Sequence, residues 1–240
     1  GGSGSDTLDT GTDAGDDVVL GDNGTADFDG TGLLTDIATT DPGIGGDDWI
    51  LTGDGDDVIF GGAGGDAINT DPATGAPLGT DTGDDVIVGD NGLASFDTGS
   101  GEPVLTHVET TDPDQGGDDT IYSGGGSDVV FGGTGGDTIE AGGDTDGDVL
   151  VGDNGSADYT GGALSSVRST DVENGTGGDD TILAGNGDNF VIAGVGQDTV
   201  TTGDGDDAVL GDNGTMGFNA SGGLTSMRST DGSLGGGDVI

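Results

Sequence analysis

A nine-residue spacing of aspartates constrains this chain more than any other feature of its sequence. In the segment DDWILTGDGDDVIFGGAGGDAIN, Asp48, Asp57 and Asp66 lie nine residues apart, with a Gly two residues before each and an Ile two residues after it. The stretches GGSGSDTLD and GGTGGDTIE fit the same pattern, G-G-x-G-x-D-x-U-x, in which U is a large aliphatic residue. A fixed short period is typical of repeat architectures, in which each unit stacks on the next.

Each letter of the repeat has a physical reason. Gly at positions one, two and four lets the backbone turn through positive φ and approach an ion closely. Residues seven to nine form a short strand, whose alternation points U to one face and its two neighbours to the other. Two nonapeptides make one coil with a turn on each side. The predicted fold is therefore all-β, a parallel β-roll or β-solenoid in which the turns form two columns.

Position six of the repeat places a carboxylate at the end of each turn. Stacked turns then offer carboxylate and backbone carbonyl oxygens only, a donor set that suits Ca²⁺. We predict roughly one Ca²⁺ per intact turn, and we expect the turn at Asn189 to bind more weakly. The predicted metal ligands are Asp6, Asp17, Asp48, Asp57, Asp66, Asp85, Asp119, Asp128, Asp137, Asp148, Asp180, Asp198, Asp207 and Asp238.

The composition supports a bound cation. The formal net charge is −46, 44 of the 48 acidic residues are Asp, and Gly contributes 59 of the 240 residues. Such a chain resembles a disordered linker in composition, but disorder does not explain a nine-residue phase. A solenoid without ions would stack like charges within a few ångströms, which costs free energy.

Several function classes are disfavoured by the same counts. The chain has no Cys and no apolar run long enough for a membrane span, so we expect no disulfides and no membrane insertion. Arg168 and Arg228 are the only fixed positive charges of the side chains, which argues against nucleic-acid binding. His107 is the only histidine, and it is better explained as a solvated residue than as a catalytic one. We therefore expect no enzymatic activity.

A second motif, GDNG, recurs at a longer period. It begins at Gly21, Gly89, Gly152 and Gly211, so successive copies lie 68, 63 and 59 residues apart. If its first Gly is position one of a nonapeptide, U is always aromatic and position six has lost its Asp, which predicts four turns poor in metal. The residues concerned are Phe28, Phe96, Tyr159 and Phe218 at U, with Ala26, Ala94, Ala157 and Met216 at position six.

An excursion from the roll follows each aromatic residue. All four excursions share L-x-x-[IVM]-x-[ST]-T-D after a turn that contains Gly or Pro, which predicts a strand, a turn and a returning strand. The chain is then one continuous array over 1–240 with one β-hairpin per unit of about 60 residues. The units are approximately 1–44 (partial), 45–115, 116–176, 177–234 and 235–240, where the next unit begins.

One sheet of the predicted roll is apolar on its outside. Strands such as Val58-Ile59-Phe60 and Val129-Val130-Phe131 are apolar throughout, whereas Thr138-Ile139-Glu140, on the other sheet, has polar neighbours. A continuous apolar strand is typical of burial on both faces. We expect the hairpins to fold back over this sheet; docking of a second copy is the other available cover. The hairpin residues that would supply the cover are Leu34, Ile37, Leu105, Val108, Leu164, Val167, Leu224 and Met227.

The nonapeptides resemble the RTX, or haemolysin-type, calcium-binding repeats of exported bacterial proteins. The resemblance implies Ca²⁺ as the bound ion, type I secretion and an extracellular or cell-surface location. The hairpin-bearing units resemble the long arrays of surface and adhesin-like proteins, which implies a structural role, with self-association or continuation into further repeats. An alternative is the calcium-dependent folding and secretion module of an enzyme or toxin whose active domain lies outside this chain. An ice or glycan binder would need a regular row of outward Thr, for which Thr7, Thr120, Thr138, Thr181 and Thr199 look too scattered.

Overall fold

The computed structural model describes residues 1–79, 81–170, 176–230 and 234–240, and these residues form 22 β-strands. No helix of the length and hydropathy required to cross a membrane occurs among these residues. In chain order the strands are β1 Thr7–Asp9, β2 Val18–Leu20, β3 Gly24–Phe28, β4 Leu34–Thr39, β5 Trp49–Leu51, β6 Val58–Phe60, β7 Ala67–Ile68, β8 Val86–Val88, β9 Gly92–Asp97, β10 Val104–Thr110, β11 Thr120–Tyr122, β12 Val129–Phe131, β13 Thr138–Glu140, β14 Val149–Val151, β15 Gly155–Thr160, β16 Ala163–Ser169, β17 Thr181–Gly185, β18 Phe190–Gly194, β19 Thr199–Thr202, β20 Ala208–Asp212, β21 Gly214–Phe218 and β22 Leu224–Ser229.

The strands form three sheets. The outer sheet is parallel, with seven strands in the order β1-β5-β7-β11-β13-β17-β19. The middle sheet is parallel, with seven strands in the order β2-β6-β8-β12-β14-β18-β20. The hairpin sheet is antiparallel, with eight strands in the order β22-β21-β16-β15-β10-β9-β4-β3. The outer and middle sheets are the two sides of a parallel roll, and the β-hairpins build a third layer, so the predicted fold is confirmed.

The first core lies between the outer and middle sheets. It consists of the central residue of each three-residue strand, such as Ile50 and Ile139 from the outer sheet and Ile59 and Val130 from the middle sheet, all fully buried. A strand alternates its side chains between two faces, so one large aliphatic per nonapeptide suffices to fill this layer. The predicted inward U position is confirmed along the roll.

The second core lies between the middle and hairpin sheets. Phe60 and Phe131 are fully buried there, and Ile37, Val108 and Val167 of the hairpins pack in the same cluster. The hairpins therefore fold back over the apolar sheet, as the sequence predicts. The cover is incomplete at one end. On the edge strand β22, Leu224 and Met227 are among the exposed large hydrophobic side chains.

The nine-residue phase does not continue through GDNG, contrary to the expectation from the sequence. Ala26, Ala94, Ala157 and Met216 are not turn residues but lie within β3, β9, β15 and β21, the first strand of each hairpin. They pack in the second core, as do the aromatics Phe96, Tyr159 and Phe218, while Phe28 is half exposed. Once the chain leaves the roll, its strands pair antiparallel within the hairpin sheet, so position six no longer falls at a turn. The predicted metal-poor turns do not exist at these residues.

The outward Thr residues of the outer sheet are less scattered than the sequence suggests. Thr120, Thr138, Thr181 and Thr199 are paired in register on four consecutive parallel strands, and only Thr7 lies apart, beside Trp49. The neighbouring outward row is chemically mixed, so the face is not a regular array of one residue type. That row holds Tyr122, Glu140, Leu183 and Thr201.

Two aspartate columns as candidate metal centres

One column of side chains follows the turns that lead into the outer sheet, and we call it the outer column. Each carboxylate Oδ1 accepts the backbone N–H of the column residue in the preceding coil, over 2.7–3.2 Å. The register of the parallel strands places these residues one above the other. The outer column consists of Asp6, Asp48, Asp66, Asp119, Asp137, Asp180, Asp198 and Asp238.

The middle column follows the turns that lead into the middle sheet and repeats the same hydrogen bonds over 2.8–3.1 Å. Asn189 continues it with an amide oxygen that accepts the N–H of Asp148 at 2.9 Å. All the aspartates predicted as ligands therefore fall in one of the two columns, and none lies elsewhere. The middle column consists of Asp17, Asp57, Asp85, Asp128, Asp148, Asn189 and Asp207.

The second carboxylate oxygen of the column aspartates gives the strongest indication that the columns bind cations. In nine of the column aspartates, Oδ2 is buried and has no hydrogen-bond partner. A buried acceptor without a partner costs about 1–3 kcal/mol, and more when it is charged. Cations bound along the two columns would satisfy these atoms. These oxygen atoms belong to Asp48, Asp57, Asp66, Asp85, Asp119, Asp128, Asp137, Asp180 and Asp198.

The electrostatics of the columns also require neutralisation. Burial, with a smaller contribution from neighbouring aspartates, raises the pKa of Asp85 and Asp180 to about 10 and that of Asp119 well above its usual range. Neither arginine is placed to compensate, since Arg168 and Arg228 both lie on the hairpin sheet. Buried carboxylates without a countercharge take up a proton or bind a cation.

Glycine allows backbone carbonyl oxygens to come close to the Oδ2 atoms of the column aspartates. A Cβ added to Gly61 would collide with the carbonyl oxygen of Gly89 and with Oδ2 of Asp66. Gly132 stands in the same relation to the carbonyl of Gly152 and Oδ2 of Asp137. Carbonyl and carboxylate oxygens thus converge where the glycine has no side chain. This all-oxygen, acidic donor set fits Ca²⁺, which takes six to eight oxygens in flexible geometry.

The Asp of GDNG is a buried acid that the predicted ligand set omits. Asp90 is 1% exposed and accepts the N–H groups of Gly117 at 3.1 Å and Thr134 at 2.5 Å, in the following coils. Asp153 accepts from Gly178 and Val195 in the same way. Burial raises the pKa of Asp90 to about 9, and Asp137 and Asp66 of the outer column add to the shift. The Asp at the second position of all four GDNG copies is the sequence feature that points to this buried acid.

The Asn of GDNG closes the base of each hairpin. Its backbone oxygen accepts the N–H of the Thr that directly follows the returning strand, from Thr111 to Asn91 at 2.8 Å and from Thr170 to Asn154 at 2.9 Å. Asn23 and Asn213 do the same with Thr40 and Thr230. GDNG therefore marks the point where the chain leaves the roll, and its Asp and Asn fasten the hairpin to the outer column.

We expect Asp90→Ala to destabilise the calcium-loaded protein by roughly 1–3 kcal/mol, because it leaves two partly buried N–H donors without an acceptor. Asp97→Ala, which removes an exposed acid from the end of β9, the strand that follows Asp90, is the matched control. Urea unfolding at saturating calcium measures both variants. Equal stability of the Asp90 and Asp97 variants would show that the GDNG carboxylate does not anchor the hairpin.

His107 lies away from both columns, on β10 of the hairpin sheet. Its Nδ1 is 2.8 Å from Asp158 Oδ1, and its Nε2 is 3.5 Å from a carboxylate oxygen of Glu109. Partial burial opposes ionisation of Asp158, but hydrogen bonds from His107 and Ser166 outweigh it and lower the pKa of that carboxyl. Arg168 approaches the other oxygen of Asp158 at 3.9 Å. The hairpin sheet thus gathers opposite charges at its surface.

A family model described as the RTX calcium-binding nonapeptide repeat (4 copies) matches residues 42–72, 115–139 and 174–209. These segments include nine of the column aspartates and Asn189. No curated protein matches the chain in sequence.

Proposed function

We propose that this chain, whose nonapeptides match the RTX calcium-binding repeat model, is a calcium-stabilised structural segment of an exported bacterial surface, fibre or adhesin-like protein. RTX nonapeptide repeats bind Ca²⁺ and are structural rather than catalytic units. The observation that carries the proposal is the pair of aspartate columns, whose buried Oδ2 atoms have no partner within the protein. We propose the column aspartates as the calcium ligands.

The architecture supports a structural role for the array. Each unit that we propose, over 45–115, 116–176 and 177–234, repeats the same coils and closes with a hairpin over the middle sheet. Residues 171–175 and 231–233, near the ends of two units, lie outside the described residues. Continuation into further repeats, or association between copies, would extend the same three layers. We propose that the segment itself has no enzymatic activity.

Extracellular calcium is high enough to fill sites of this kind. Extracellular calcium modules bind with dissociation constants of about 10⁻⁴–10⁻³ M. A chain that folds only when these sites fill would stay unfolded in the cytoplasm, which suits passage through a type I exporter. The proposed location is therefore outside the cell or on its surface.

The alternative is a folding and secretion module of an RTX enzyme or toxin whose active domain lies outside this chain. Ca²⁺ binding is common to both functions, so the columns do not separate them. The sequence that flanks the segment does: further hairpin-bearing units support the structural role, and a catalytic domain supports the alternative. The row of Thr on the outer sheet does not favour ice or glycan binding, because the row beside it is mixed.

Antibodies against this segment, applied to intact source cells, test the proposed location. We expect surface labelling in millimolar calcium and rapid loss of the epitope to added protease once calcium is chelated. An antigen found only inside the cells, after lysis, would contradict the proposal. A secreted antigen that co-purifies with a catalytic activity encoded in the same chain would favour the alternative.

A further inference from the structure

The connection between β7 and β8 is longer than the other turns that lead into the middle sheet. It covers residues 69–85, whereas residues 52–57 suffice between β5 and β6. The matched family segments end at residue 72 and resume at residue 115, so this connection falls mostly outside them. It begins with an ordered excursion, closed by an antiparallel bridge between Thr70 and Pro77. The chain then returns to the middle column through Asp81.

Asp81 brings a third carboxylate to two members of the middle column. One carboxylate oxygen each from Asp57, Asp81 and Asp85 lies within 4.8 Å of the others. Across the parts of the chain that the structure describes, no other group of three acids is so close. The regular turns supply a single column carboxylate each, so the turn before β8 is richer by one charge.

All three carboxylates are buried and each has an unused oxygen. The residues are 0%, 8% and 1% exposed, and Oδ2 of each has no hydrogen-bond partner. Asp81 is also held in place. Its Oδ1 accepts the N–H of Gly83 at 3.1 Å, and its backbone oxygen accepts the N–H of Gly125 at 2.9 Å. Three acids are thus fixed at one point with one oxygen free on each.

Such a cluster of buried carboxylates is suited to bind a cation. Three buried negative charges within about 5 Å repel one another strongly in a medium of low polarity. Hard divalent cations prefer carboxylate oxygens, and Ca²⁺ tolerates the irregular geometry that Mg²⁺ does not. Calcium affinity rises with the number of charged ligands and with the rigidity of the site.

We propose that Asp57, Asp81 and Asp85 form a three-carboxylate calcium site that binds more tightly than the regular turns and fills first as calcium rises. The proposal rests on the proposed calcium-binding function and deepens it. It assigns Asp81, which occupies position two of its nonapeptide, where the repeat pattern has Gly, as a calcium ligand. The long connection between β7 and β8 is then the device that places this third carboxylate.

Equilibrium dialysis against radioactive calcium, with the whole 240-residue chain, tests the site. Asp81→Asn keeps the size of the side chain and removes its charge. Asp84→Asn, in the same turn but exposed, is the control. We expect Asp81→Asn to weaken the first binding step by about tenfold or more, because one of three charged ligands is lost, with the later steps unchanged. Asp84→Asn should bind its first calcium like the wild type.

The outcomes separate this inference from the proposed function. Binding of many calcium ions by all three proteins, with the same first step, would overturn the role of Asp81 and leave the proposed function standing. A wild-type protein that binds no calcium would overturn both. If Asp81→Asn does not fold, wild-type crystals soaked in limiting Tb³⁺ decide the question. The strongest anomalous peak should lie between the three carboxylates, and its absence there would refute the site.

Discussion

Chelation of calcium is expected to convert this protein from a β-roll into a largely unstructured chain. The columns stack buried carboxylates one coil apart, and a net charge of −46 opposes compaction. Since the sites exist only in the folded state, the free energy of calcium binding contributes directly to the free energy of folding. Far-ultraviolet circular dichroism measures the change, with a β spectrum in millimolar calcium and a coil spectrum in chelator.

Two controls make this experiment specific. Millimolar Mg²⁺ should not restore the β spectrum, because Mg²⁺ demands a strict octahedral geometry and gives up its water reluctantly. Added NaCl screens the repulsion without filling the sites, so it should restore little of the structure. An unchanged β spectrum in chelator would contradict calcium-coupled folding.

The second large effect concerns the layer between the middle and hairpin sheets. Phe131 is fully buried there, and we expect Phe131→Ala to cost about 3–5 kcal/mol of unfolding free energy through lost burial and a residual cavity. Phe28 provides a matched control, since it is the same residue type but 53% exposed. Phe28→Ala should cost far less. Denaturant unfolding at saturating calcium compares the two variants. Similar losses of unfolding free energy would mean that the hairpin sheet does not stabilise the protein by covering the middle sheet.

The roll and its aspartate columns could be predicted from the sequence because their cause is local. Within a nonapeptide, the glycines make the turn, the Asp ends it and the aliphatic residue fills the interior, so a fixed period assigns every role. The cover of the middle sheet was predictable for a similar reason. Val58 and Phe60, on either side of the inward Ile59, cannot remain exposed, and each excursion carries apolar residues to cover them.

Contacts between coils could not be predicted, because loop length varies along the chain. In the outer column, Asp48 and Asp66 are hydrogen-bonded neighbours 18 residues apart, whereas Asp66 and Asp119 are neighbours 53 residues apart. Rows of side chains across strands are invisible in a sequence with such variable spacing. The row of outward Thr is an example, since Thr138 pairs with Thr120 on one side and with Thr181, much farther along the chain, on the other.

The GDNG motif was predicted in part. Its role as the start of a hairpin follows from the sequence, but the nine-residue phase predicts a turn residue at Ala94, which lies in the strand β9. In the sequence, the nine-residue spacing continues for several residues after the point where the folded chain has begun to pair antiparallel. The burial of Asp90 and the place of Asp81 depend on neighbouring coils, which no local pattern specifies.

Anomalous diffraction from crystals grown in calcium tests the central claim most directly. The account predicts two rows of calcium peaks along the roll, one beside the outer column and one beside the middle column, with successive peaks about 4.8 Å apart, the spacing of neighbouring strands. The turn at Asn189 should show a weaker peak than the turn at Asp128. Aspartate columns without peaks, in a protein that remains folded, would contradict the account.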